Sequence, residues 1–163
     1  MPRLDVPPLY TSMLERGALV RSWARWFSAV FQLLTKVQNH EACYSDELNA
    51  DLADQSFFIA NQPYEVVAIQ LLHSVAGSDG SAVNAQVTKD VSTEAPGAGK
   101  DLLTNNSDAG FNLKATANTV QEGTLSLEAA DRKLSKGDRL SVDFAGTLTS
   151  VAGVQITVSL KPL

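Results

Sequence analysis

The stretch Val154-Gln155-Ile156-Thr157-Val158-Ser159-Leu160 alternates aliphatic with polar side chains at every step. In an extended chain successive side chains point to opposite faces, so a period of two marks a strand with one buried and one wet face. Working back along the chain, Leu140, Val142 and Phe144 alternate with Ser141 and Asp143, and Val83, Ala85 and Val87 with Asn84, Gln86 and Thr88. Phe111 and Leu113, and then Leu125 and Leu127, give shorter versions of the same signal. Tyr64 to Val75 is a longer run, with Val67, Ile69 and Leu71 expected on one face, and Phe57-Phe58-Ile59 is short and apolar. Turn-forming clusters separate these runs: Gly77-Ser78-Asp79-Gly80, Pro96-Gly97-Ala98-Gly99, Asn105-Asn106-Ser107-Asp108 and Lys136-Gly137-Asp138. Seven or eight strands with no helix among them predict a mainly β fold over residues 56–163, an antiparallel β-sandwich that is jelly-roll-like.

Upstream the grammar changes. Leu19, Trp23, Trp26, Val30, Leu33 and Val37 recur at steps of four and three, and Phe27, Phe31 and Leu34 widen the same face. That spacing predicts one amphipathic α-helix over about residues 19–38. Both tryptophans and two of the six phenylalanines fall within the nine residues 23–31. Pro2, Pro7 and Pro8 disfavour helix before it, so residues 1–11 read as an extended arm. Ser12-Met13-Leu14-Glu15 matches a capping box, but Gly17 argues against an early helix start and places a turn at 12–18. Residues 39–55 lose the periodicity and are rich in acids, the pattern of a linker or of an irregular entry into the next domain. The expected organisation is therefore 1–38 arm and helix, 39–55 linker and 56–163 β-sandwich.

Charge divides along the same line. Residues 1–38 carry Arg3, Arg16, Arg21, Arg25 and Lys36 against Asp5 and Glu15, whereas residues 39–163 hold eight basic and sixteen acidic residues. An acidic body lacks the basic footprint that phosphate contacts require, so nucleic acid is not an expected partner. Cys43, the single cysteine, excludes an intramolecular disulfide and suits a reducing compartment. The opening Met1-Pro2-Arg3-Leu4-Asp5 is not a signal peptide, and Ser22, Arg25, Ser28 and Gln32 interrupt the only apolar run long before it could span a membrane.

Little points to catalysis. His40 and Cys43 form a His-x-x-Cys pair with no second pair, short of the four ligands of structural zinc. No Gly-x-Ser-x-Gly elbow accompanies the two histidines, His40 and His73. Gly97-Ala98-Gly99-Lys100-Asp101 lacks the full phosphate-loop pattern and reads as a flexible connection between strands. Asp79, Asp90, Glu94, Asp101 and Asp108 lack calcium-loop spacing and read as a solvated surface. No enzyme activity, cofactor or metal is expected.

The Trp23/Trp26/Phe27/Val30/Phe31/Leu34 face has three readings. It packs on its own sandwich, the commonest fate of an apolar stripe. It associates with another helix or a protein groove, for which the spacing is suited although two tryptophans are bulky for a dimeric seam. Or it inserts at a membrane interface, helped by Arg21 and Arg25.

Pro7-Pro8-Leu9-Tyr10, Gly17-Ala18-Leu19-Val20 and Trp23-Ala24-Arg25-Trp26-Phe27 resemble the amino-terminal module of small virion proteins of tailed bacteriophages. Phe57-Phe58-Ile59-Ala60, Gln86-Val87-Thr88-Lys89-Asp90, Ala95 to Leu103, Asn112 to Val120 and Gly137 to Phe144 resemble the β domain that accompanies it. The resemblance spans most of the chain except residues 39–55, and its motifs are structural. It implies a capsid cement, decoration or head-fibre protein, made in the host cytoplasm and residing in the virion. The implied partners are the major capsid protein or another virion protein, and copies of the chain itself, as a trimer or a dimer. The contact residues expected on this reading are Leu19, Arg21, Trp23, Arg25, Trp26, Phe27, Val30, Phe31 and Leu34. A tail- or head-fibre component whose β domain binds host glycan is the alternative.

Overall fold

Residues 14–15, 18–19, 21–37, 40–46 and 53–163 are described by the computed structural model of the chain. They fall into two compact units, Met1–Gln38 and Asn39–Leu163. In the first, β1 (Leu14–Glu15) pairs antiparallel with β2 (Ala18–Leu19), ahead of helix α1 (Arg21–Val37). The expected helix is present, beginning two residues later than its spacing predicted. The expected arm at 1–11 lies outside the described residues.

The second unit holds β3 (His40–Asp46), β4 (Gln55–Ile59), β5 (Tyr64–Leu72), β6 (Asn84–Asp90), β7 (Lys100–Asp101), β8 (Phe111–Asn112), β9 (Gln121–Glu122), β10 (Lys133–Leu134), β11 (Arg139–Ala145) and β12 (Val154–Pro162). One sheet runs β10-β5-β12-β3, with β9 also on β5; the other runs β4-β11-β6-β7, with β8 also on β6. Every pairing is antiparallel. The chain crosses from sheet to sheet at each step from β3 to β6 and again from β10 to β12. The first long strand therefore lies beside the last, and the second beside the penultimate. That connectivity is a jelly roll, its third pair of strands broken into the two-residue pieces β7 to β10.

The core lies between the sheets. Val154, Ile156, Val158 and Leu160 of β12 are buried, as their alternation required. Ala42 and Tyr44 of β3 join them, and opposite lie Val83, Ala85, Val87, Leu140 and Val142. Burying each such aliphatic side chain is worth about 1.5–3 kcal/mol relative to leaving it in water.

Several expectations change. The stretch 39–55 is not a linker throughout, because all seven residues of β3 pair with β12. Among its described side chains Ala42 and Tyr44 are the buried ones, too few apolar residues to reveal a period of two amid acids. In β5 the inward residues are Tyr64, Val66, Ile69 and Leu71, whereas Val67 is exposed. The register with β12 shifts between Ser159 and Leu160, so Val67 is the extra residue of a bulge and the alternation changes phase there. Finally, Leu125 and Leu127 form no strand. Leu125 makes an isolated bridge to Leu103, Leu127 is 91% exposed, and Ser126 points inward to hydrogen-bond Asp131.

The polar side of β6 is not a wet face either. Gln86, Thr88 and Asp90 are buried beneath the connection 95–110. The Gln86 amide acts as a substitute peptide group: its Nε2 donates to the carbonyls of Leu103 and Asp108, and its Oε1 accepts from the amides of Leu103 and Val87. Asp90 accepts from the Thr88 hydroxyl (3.0 Å), the Gly99 amide (3.0 Å) and the Ser141 hydroxyl. Ser141 in turn lies 2.7 Å from Ser56 Oγ. The Gly97–Gly99 segment is therefore a pinned strap, not a flexible connection. A Cβ at Gly99 would overlap the Lys89 carbonyl oxygen and sit 2.6 Å from Asp90 Oδ1, which only glycine avoids.

Candidate functional site

Helix α1 gathers the aromatic residues as its spacing demands. Trp23 and Trp26 meet edge-on with centroids 5.8 Å apart, Trp23 and Phe27 lie at 5.9 Å, and Trp26 and Phe27 at 5.2 Å. Neighbours three and four apart share a helix face, and such ring pairs add about 0.5–1.5 kcal/mol each beyond their buried area. Val30 is half-buried. Phe27 is 41% and Phe31 68% exposed, a large apolar area at the surface of so small a unit. Arg25 is exposed and, at 100° per residue, lies on the side of the helix away from the rings. Arg21 and Leu34 belong to α1 and Leu19 to β2; their side chains lie outside the described residues. The site is thus a compact triad of rings, a more exposed phenylalanine one turn further on, and a cation on the opposite side.

The polar candidates are dispersed. His40 and Cys43 sit three apart on β3, a spacing that sends side chains to opposite faces, and the His40 ring stacks edge-on against Tyr64 at 5.6 Å. His73 is fully buried, with Nε2 3.1 Å from the Ala115 carbonyl oxygen. Asp79 accepts from the Ser81 amide, and Glu94 from that of Val91. Among the described residues no three His, Cys, Asp or Glu are arranged to hold a metal ion, and no helix is long and apolar enough to cross a membrane.

The β4-β11-β6-β7 sheet carries a concentration of negative charge on its outer face. Asp143 titrates above the usual carboxylate range, first because it is partly desolvated and then because Asp54, Asp101 and Asp90 repel its charge. Asp101 is raised likewise, by desolvation and by Asp108. A folded-state pKa above the unfolded one means that the folded chain binds the proton more tightly. Stability contributed by these groups is then greatest at low pH and declines as pH rises through the interval between the two values. Asp143→Asn is accordingly expected to raise the thermal midpoint modestly at pH 7 and to leave it unchanged near pH 3, where both side chains are neutral. An equal shift at both pH values would show that the charge is not responsible.

Two things were hidden from sequence reading. The burial of Asp90 shows only once the strap over it is seen, although a Pro-Gly-x-Gly segment beside alternating polar residues is a usable signal. An asparagine-lined cleft joins residues far apart in the chain. Asn84 and Asn112 are direct ladder partners across β6 and β8, and with Ala82, Asn106, Ala109 and Lys114 they line a cleft of about 440 Å³.

Comparison of the chain with family models, curated proteins and solved structures gives no match.

Proposed function

We propose that this chain is a structural protein of a tailed-bacteriophage virion, a capsid cement or decoration protein. On this reading the amino-terminal unit docks onto the major capsid protein and the jelly roll clusters as a trimer, or a dimer, on the shell. The observation that carries it is the division of labour between the two units. The small one is basic and bears exposed aromatic residues; the larger one is acidic and has its own complete core.

Aromatic side chains seated in dry pockets are the usual anchors of protein interfaces, each worth about 2 kcal/mol or more. A repeated lattice of identical sites would multiply modest contacts through avidity. The choice of partner rests on the resemblance of both sequence modules to phage virion proteins.

Deletion of residues 1–38 tests this. The remaining sandwich is expected to unfold cooperatively while losing its sedimentation with purified capsids. Retention of capsid binding by the truncated chain would sink the anchor role.

A further inference from the structure

We infer that the cleft between β6 and β8 binds a neutral, hydroxyl-rich saccharide, held by the amides of Asn84, Asn106 and Asn112 and by the Lys114 ammonium group. This site lies wholly within the jelly roll and is independent of how the helix docks.

The argument begins with hydrogen-bonding capacity. A primary amide offers two donors and an acceptor, complementary to neighbouring sugar hydroxyls that both donate and accept. Asn84 is half-buried, yet its side chain makes no hydrogen bond among the described residues. Asn112 commits its Oδ1 to the Lys114 amide, which leaves its Nδ2 for a ligand. Asn106 commits its Nδ2 to the Gly110 carbonyl, which leaves its Oδ1. The cleft therefore presents both donors and acceptors, the mixture a sugar needs. Ala82 and Ala109 supply methyl groups on which its C–H faces can rest.

Lys114 adds donors at the edge of the cleft. Lys114 Nζ already donates to the Ser81 carbonyl at 3.2 Å. An ammonium group has three donors, so with one committed to that carbonyl Lys114 keeps others for a sugar hydroxyl, and the phosphate comparison below separates this from binding of an anion.

The cleft is also preorganised. Asn106, Ser107 and Asp108 are three consecutive non-glycine residues with positive φ, of 52°, 57° and 72°. Such conformations cost on the order of 1–3 kcal/mol each and persist only where the surroundings enforce them. Here Gln86 holds the Asp108 carbonyl, and Asn105 is fixed between the Thr124 amide and the Glu122 carbonyl. A wall held this firmly loses little entropy when a ligand arrives.

The test is an amide-resolved NMR titration of the full-length protein with glucose, galactose and N-acetylglucosamine, with inorganic phosphate as the anionic comparison. Binding with a dissociation constant of about 1 mM is expected for at least one sugar, with shifts centred on the side-chain amides of Asn84 and Asn112. Asn84→Ala removes no hydrogen bond within the protein, so it should stay folded and weaken the sugar about tenfold. Absence of shifts with all three sugars overturns the proposal. So do shifts elsewhere on the chain, an Asn84→Ala variant that binds as well as the parent, or a response to phosphate alone.

Discussion

Replacement of Asp90 by alanine is expected to destabilise the jelly roll by about 3–5 kcal/mol, a fall in thermal midpoint of about 10–20 °C. The side chain is fully buried and ties three separate stretches together: its own strand through Thr88, the strap through the Gly99 amide, and β11 through Ser141. Removing it takes the acceptor from the Thr88 hydroxyl and the Gly99 amide, while Ser141 keeps Ser56 as a partner. The cost is that of unmet buried polar groups, beyond the loss of the bonds themselves. Asp90→Asn separates charge from connectivity. Its Oδ1 can still accept from Thr88 and Gly99, while Ser141 accepts from the new amide and turns its own proton to Ser56. A loss of about 1–2 kcal/mol is expected there. Urea unfolding should show both variants as a lower midpoint at unchanged slope. A midpoint for Asp90→Ala within the scatter of surface substitutions, about 0.5 kcal/mol, would deny Asp90 its role as a tie.

The same network explains what could be read in advance and what could not. Strands β11 and β12 were legible because each meets the core on one face, and a period of two survives in the sequence. Strand β6 showed the alternation equally well, but the inference that its polar side was wet was wrong. A buried Asp90 and a solvated one look alike until the covering segment is placed. Strand β5 was legible as a strand and misread in phase, because a bulge at Val67 has no compositional mark. Strand β3 was lost because its inward pair, Ala42 and Tyr44, is a weak signal within an acidic stretch. The helix was legible to within two residues of its start, since aromatic residues at steps of three and four have one geometric meaning. The asparagine cleft was invisible because β8 is two residues long and reaches β6 across a connection rich in turns.

Under the proposed role as a capsid-docking protein, Phe27→Ala combined with Phe31→Ala is expected to weaken docking about a thousandfold while leaving the unfolding of the jelly roll unchanged. Each phenylalanine, as an anchor worth about 2 kcal/mol, corresponds to roughly a thirtyfold change. The two lie four apart on one helix face, so some coupling between them is expected, and each single variant should be measured beside the pair. Phe27 also packs on Trp23 and Trp26, and Phe31 is the more exposed of the two phenylalanines, at 68%. Phe31→Ala should therefore disturb the helix least and gives the cleaner measure of docking. Arg25→Gln provides the contrast: a cation on the side away from the rings is expected to alter the salt dependence of binding more than its strength. Binding isotherms on purified capsids, read beside thermal unfolding of the same proteins, distinguish the outcomes. Undiminished docking by the double variant removes this face from the interface. A lowered unfolding midpoint of the sandwich would instead assign the face to packing within the chain, the reading that an apolar helical stripe always invites.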